Sequence, residues 1–238
     1  MHGGLGQQLR GGDGVNSYEK EHRRYDNPMR GLPEKNTLII FVKYPEPGKV
    51  KSRIASDLGA ERAAEVYSRI AKAVIEKVSK PDTHGTIICF DPPERENEIK
   101  LWLGIDKHPY ERQSGRTIGE KMSNAFHSVF SRGAEKAVLI GTDIPEITAG
   151  TVTDAFDRLN ETDVVLGPAE DGGYYLMGLR NLEPLLFRDI EWSTNLVLRQ
   201  TIGRIKERKL SYNLLQTLKD VDTADDIGQD LFAALKSK

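Results

Sequence analysis

Short apolar runs alternate with helical repeats from Thr37 to Leu235, and this alternation restricts the fold more than any other feature. Thr37-Leu-Ile-Ile-Phe-Val42, Gly85 to Phe90, Lys136 to Gly141 and Thr162-Asp-Val-Val-Leu-Gly167 are compact, apolar and rich in β-branched residues. Continuous apolar runs of this length suit strands that are covered on both faces. Between them apolar residues recur at helical spacing, as in Ala63, Val66, Tyr67, Ile70, Val74 and Val78, or Ile118, Met122, Phe126 and Val129. Strands separated by helices need crossover connections, so the pattern predicts an α/β fold with a mostly parallel central sheet and helices on both faces. Shorter strands are predicted at Pro109–Gln113 and Ser211–Leu215, and Tyr174-Tyr-Leu-Met177 is expected to re-enter the sheet. Thr117-Ile-Gly-Glu120 matches a capping box. Thr148, Ser193 or Thr194, and Thr223 are the expected caps of later helices, the last containing Ile227, Leu231 and Leu235.

The 238 residues suffice for one sizeable α/β domain, and they carry 34 basic and 36 acidic side chains. That balance gives no overall attraction to nucleic acid or anionic membrane, so phosphate recognition must come from a local cluster. The single cysteine, Cys89, excludes an intramolecular disulfide and sits inside a predicted strand, where burial is expected. No run reaches the length of a membrane span, and no signal-peptide core is seen, so a cytoplasmic protein is expected. Residues 1–35 are glycine-rich and charged and predict a mobile extension, with the folded domain at 36–238.

Three polar clusters follow predicted strand ends, where open α/β sheets bind ligands. In the first, Lys43-Tyr-Pro-Glu-Pro-Gly-Lys-Val-Lys-Ser-Arg53, prolines and glycine force a loop that carries Lys43, Lys49, Lys51 and Arg53. Such a loop suits an anion, with lysine as point charge and arginine as fork, or is simply a solvated basic loop. In the second, Leu139-Ile-Gly-Thr-Asp-Ile-Pro-Glu146, Asp143 either anchors a hard divalent cation or orders the turn. In the third, Glu170-Asp-Gly-Gly173, adjacent glycines let a ligand approach the backbone beside two carboxylates. Gln113 lies at a helix entrance, and Trp192 either stacks on a substrate or fills a gap. Asp222 is the carboxylate of Asp220–Asp226 that helix capping does not require. Neither G-x-G-x-x-G nor a Walker loop occurs, and the cations with separated carboxylates fit a nucleoside diphosphate or triphosphate held by lysines and a divalent metal.

The spaced set Phe41-Val-Lys-x-Pro-x-Pro-Gly-x-Val-Lys-Ser-Arg53, Gly141-Thr-Asp-Ile-Pro145, Gly167-Pro-Ala-Glu-Asp-Gly-Gly-Tyr-Tyr-Leu176, Trp192-Ser-Thr194 and Asp220-Val-Asp-Thr223 resembles a bacterial protein family. This is the GT-A-type nucleotide-diphospho-sugar transferase family of radical-SAM and selenium gene clusters, formerly a domain of unknown function. The lysine loop is also similar to that of 2-phospho-lactate guanylyltransferase. The resemblance covers about residues 36–230. It implies a GT-A three-layer sandwich, a divalent metal (magnesium or manganese), a nucleotide-sugar or nucleoside triphosphate, and a small-molecule acceptor. It implies Lys43, Lys51 and Arg53 at the nucleotide phosphates, and Gln113, from its place at a helix entrance, is expected to join them at the nucleotide. It implies Asp143 at the metal, with a second carboxylate from Asp222 or Asp171, Asp222 being favoured. Only one aspartate stands where the GT-A motif carries two. Glu170, Asp171, Gly172, Gly173 and Trp192 then fall where sugar or acceptor would lie, with Asp171 as general base. Glycosyl transfer is the leading expectation. Nucleotidyl transfer with pyrophosphate release and non-catalytic nucleotide binding are the rivals.

Overall fold

The computed structural model describes Met1 and residues 35–80, 82–105 and 107–227. The expected extension over 1–35 lies outside the described residues except at Met1 and Lys35, and so do Leu231 and Leu235.

Seven strands form one sheet in the order β3-β2-β1-β4-β6-β5-β7. They are β1 (Asn36–Lys43), β2 (Gly85–Asp91), β3 (Tyr110–Arg112), β4 (Lys136–Ile140), β5 (Val164–Pro168), β6 (Tyr174–Leu179) and β7 (Tyr212–Leu214). All neighbours pair in parallel except β6, which runs antiparallel to both β4 and β5. From β1 the chain steps outward to β2 and β3, then returns to place β4 on the other side of β1. The order reverses there, opening a crevice beyond the carboxyl ends of β1 and β4.

Among the described residues six α-helices cover the sheet: α1 (Ser52–Leu58), α2 (Ala60–Val78), α3 (Glu96–Leu103), α4 (Ile118–Ser131), α5 (Ala149–Arg158) and α6 (Val197–Glu207). The period-2 alternation of β1 divides the core. Leu38, Ile40 and Val42 pack with α2, α3 and α5, while Ile39 and Phe41 pack with α4 and α6. The result is the expected three-layer sandwich. In α2, Val66, Ile70 and Val74 are buried on one stripe, and each such burial contributes about 1.5–3 kcal/mol. Cys89 is buried in β2 with its thiol pushed up by the loss of solvent, as its strand position predicts. Among the described residues no helix is long and apolar enough to cross a membrane.

The local signals hold in part. Thr148 caps α5 through the amide of Thr151. Thr117 accepts from the Glu120 amide, but the Glu120 carboxylate takes the Arg116 amide rather than that of Thr117. Neither Ser193 nor Thr194 caps α6. Its N-cap is Leu196, two residues beyond Thr194, and the Leu196 amide donates to the Thr194 hydroxyl. The helix α1 was not expected, because only Ile54 is buried along it and one apolar residue leaves no periodicity to read.

Candidate functional site

Four segments from distant parts of the sequence meet at one edge of the sheet. They are the lysine loop after β1, the Gly141–Pro145 loop after β4, the Ala169–Gly173 turn between β5 and β6, and the Asp220–Asp222 segment after β7. Parallel pairing puts the carboxyl ends of β1, β4, β5 and β7 at the same edge, and inserting β6 antiparallel turns the β5–β6 connection there as well.

Two cavities open at this edge. The first, of about 660 Å³, is lined by Lys43, Lys51, Arg53, Asp143, Asp171, Gly173, Asp220 and Asp222 among others. The second, of about 520 Å³, is more apolar, with Phe41, Val50, Ile118, Met122, Leu139 and Met177, and with Gln113 on its wall. Lys43, Lys51 and Asp143 belong to both, so one wall divides them.

That wall is an ion-pair network. Lys51 Nζ lies 2.6 Å from Asp143 Oδ1 and 3.8 Å from Asp222 Oδ1. Arg53 Nη1 donates to Asp222 Oδ2 at 2.8 Å. The Lys51 side chain is only 5% exposed, and its backbone is left-handed, with φ 49°. A non-glycine residue holds that conformation only when its surroundings require it. The amide of Val221 donates to the Asp143 carbonyl at 3.3 Å, which fastens the Asp222 segment to the Asp143 loop. Val221 is buried while Asp220 and Asp222 flank it toward the cavity. Burial first, then the Asp222 charge, pushes the Asp220 carboxyl upward.

Behind the wall Tyr67 Oη accepts from the Lys43 amide at 2.8 Å and stands 3.1 Å from Thr142 Oγ1. Burial and then the Asp143 charge push the Tyr67 phenol up, so it stays protonated. In the second cavity Gln113 Nε2 donates to the carbonyls of Cys89 and Val42, which leaves Oε1 as an acceptor.

The turn between β5 and β6 is tight. Asp171 Oδ1 accepts from the Gly173 amide at 2.8 Å. Gly172 has φ 89°, and a side chain there would come within 2.3 Å of the Asn195 carbonyl oxygen. Glycine is therefore required by both backbone conformation and packing. Glu170 is exposed and lies outside the lining of both cavities. Trp192 is also outside both, packed on α4, where a Cβ added to Gly119 would lie 2.5 Å from its ring.

Of the residues singled out in the sequence, the first cavity gathers Lys43, Lys51, Arg53, Asp143, Asp171, Gly173 and Asp222. It also gathers Asp220, Ser193 and Tyr175, which the sequence reading passed over. Asp220 left a signal, its two-residue spacing from Asp222 around apolar Val221. Ser193 stands in the Trp192-Ser-Thr194 motif but reads locally as a helix cap, because only the fold returns its loop to this edge.

The fold is that of the nucleotide-diphospho-sugar transferases. The structure matches a crystal structure from Desulfovibrio desulfuricans G20 provisionally assigned as a nucleotide-diphospho-sugar transferase, with TM-score 0.78 and 32% identity, covering 86% of this chain and 89% of that one. It also matches 4-diphosphocytidyl-2C-methyl-D-erythritol synthase from Anaerococcus prevotii (TM-score 0.55, 8% identity, 85% of this chain and 98% of that one). A third match is CMP:2-keto-3-deoxy-manno-octonic acid synthetase complexed with CTP (TM-score 0.53, 10% identity, 86% and 100%). Those two likenesses concern the fold alone. Residues 74–194 match the family model described as uncharacterized protein conserved in bacteria, DUF2064. The chain belongs to this DUF2064 family. No curated protein matches it.

Proposed function

We propose that this protein is a metal-dependent glycosyltransferase that moves a sugar from a nucleoside-diphosphate donor to a small-molecule acceptor. One observation carries the reading. Asp143 and Asp222, 79 positions apart (222 minus 143), converge on a single cationic position, held here by the Lys51 ammonium, at the switch point of the sheet. Among the described residues no group of three or more His, Cys, Asp or Glu side chains gathers to hold a metal alone. A pair of carboxylates facing one cationic position still fits a hard divalent ion that completes its shell with diphosphate oxygens and water. Asp143 and Asp222 would hold that ion, which supplies a Lewis acid against the charge growing on the departing diphosphate. The 32%-identical relative assigned to sugar transfer favours a nucleotide-sugar as donor.

The chain's own groups do the rest. Lys43 has no ion-pair partner among the described residues and faces both cavities, free to meet phosphate. Arg53, 72% exposed, can turn its fork to a diphosphate oxygen. The apolar cavity suits the base, with Gln113 Oε1 accepting from it. Asp171 keeps Oδ2 uncommitted at the mouth of the polar cavity. As general base it takes the proton of the acceptor hydroxyl while that oxygen bonds to the sugar carbon and the carbon–phosphate-oxygen bond breaks.

Nucleotidyl transfer is the second reading, favoured by the lysine loop directly after β1 and by the fold of two synthetases, one complexed with CTP. Incubating the protein with manganese and either a nucleotide-sugar panel or nucleoside triphosphates with sugar phosphates separates the two. Release of nucleoside diphosphate from one nucleotide-sugar, lost in Asp143→Asn, is the expected result. Pyrophosphate release confined to a triphosphate would overturn glycosyl transfer.

A further inference from the structure

Lys51 occupies an unusual place. It is a buried cation seated between the two carboxylates that, on the reading above, hold the metal. A divalent ion lies about 2.1 Å from carboxylate oxygens, whereas the ammonium already sits 2.6 Å from Asp143 Oδ1 with Asp222 Oδ1 on its other side. The ammonium and a divalent ion held by Asp143 and Asp222 would therefore compete for the same carboxylates and repel each other. Lysine satisfies the two carboxylates while no diphosphate is present, and without it Asp143 and Asp222 would face each other across the cavity wall uncompensated but for Arg53 on Asp222.

We infer that Lys51 is a displaceable stand-in for the metal and couples metal binding to diphosphate binding. Its side chain lines both cavities, so a diphosphate arriving in either gives the ammonium an alternative anion. Once Lys51 pairs with phosphate, Asp143 and Asp222 are released to the cation. The site then resists free divalent metal and accepts metal together with diphosphate. Because binding free energies are linked, each ligand raises the affinity of the other by the same factor. The role rests on the metal–diphosphate reading of the site and adds to it the residue that sets the order of assembly.

Equilibrium dialysis against manganese alone and against manganese with inorganic pyrophosphate tests this on the full chain. The comparison includes wild type, Lys51→Met, Lys51→Arg and Asp143→Asn. Lys51→Met should retain manganese alone at least about tenfold more tightly than wild type, a coupling of ordinary size. Lys51→Arg, which keeps the cation, should stay weak, and Asp143→Asn should lose the site. Pyrophosphate should strengthen manganese retention by wild type and much less by Lys51→Met. Circular dichroism checks that each variant is folded, and Lys51→Gln replaces Lys51→Met if the latter is not. If pyrophosphate promotes manganese retention by wild type but Lys51→Met alone binds manganese no better, the stand-in role is overturned while the site reading survives. If no protein retains manganese in either arm, the metal reading fails and this inference with it.

Discussion

Tyr67 Oη stands 3.1 Å from Thr142 Oγ1 while accepting the Lys43 amide, so one phenol ties the end of β1 to the loop that carries Asp143. The hydroxyl is buried in α2, which anchors it from the helix layer. Two of the segments that form the cavity wall therefore depend on one tyrosine of the helix layer, which also lines the second cavity.

Replacing that hydroxyl separates the two roles. Tyr67→Phe strands the Lys43 amide and leaves Thr142 Oγ1 only its longer bond to the Phe41 carbonyl, 3.4 Å. Stranding a buried donor costs about 1–3 kcal/mol. Urea unfolding should show that loss, and nucleotide affinity should weaken with it as Lys43 and Asp143 lose their common tether. Unchanged stability would remove Tyr67 from this account.

Gly119 and Trp192 form a second dependent pair. A methyl group on Gly119 would lie 2.5 Å from the Trp192 ring, and overpacking of this kind costs about 1–3 kcal/mol. Gly119→Ala should lower the melting temperature. Gly119→Ala with Trp192→Leu should recover part of the loss, because neighbouring sites couple by about 0.5–3 kcal/mol. Thermal melts of the two single variants and the double variant decide the matter. Strict additivity would mean that the ring moves aside freely.

Asp226 predicts an acid limit to the stability of the Asp222 segment. Its carboxylate accepts from the Thr223 amide and hydroxyl at 2.8 and 2.7 Å and pairs with Lys219 at 2.6 Å. Chiefly the Lys219 interaction, then the Thr223 bonds, hold this carboxyl well below its ordinary 3.8. A depressed folded value stabilises the native state above the unfolded value, and the gain is lost as pH falls through the folded value. Wild type should melt above Asp226→Asn at pH 7, and the gap should close only below about pH 4. A gap that closes nearer neutrality would point to another group.

Much of this was written locally. The runs around Ile39, Ile88 and Leu139 carry their own strand signal, and Thr148 its cap, because period and capping depend on residues a few positions apart. The lysine loop and the Glu170–Gly173 turn could be located by prolines, glycines and charge alone. Local pattern is thin elsewhere. The seven-residue α1 buries one side chain and so has no apolar period, and the cap of α6 falls on Leu196 rather than on a hydroxyl residue.

The sequence by itself determined the layers, the strand ends and the residue types that wait there. It favoured Asp222 over Asp171 as the carboxylate beside Asp143 only through a resemblance, because which carboxylate lies near Asp143 depends on which strands are neighbours. The tertiary structure inserts β6 antiparallel between β4 and β5 and brings the segment after β7 back to Asp143, so that Asp143 and Asp222 share Lys51. Only then do Asp143, Asp222 and Lys51, each unremarkable in its own stretch, become one electrostatic unit. Charges interact through space, and distance through space is set by the order of the sheet rather than by position along the chain.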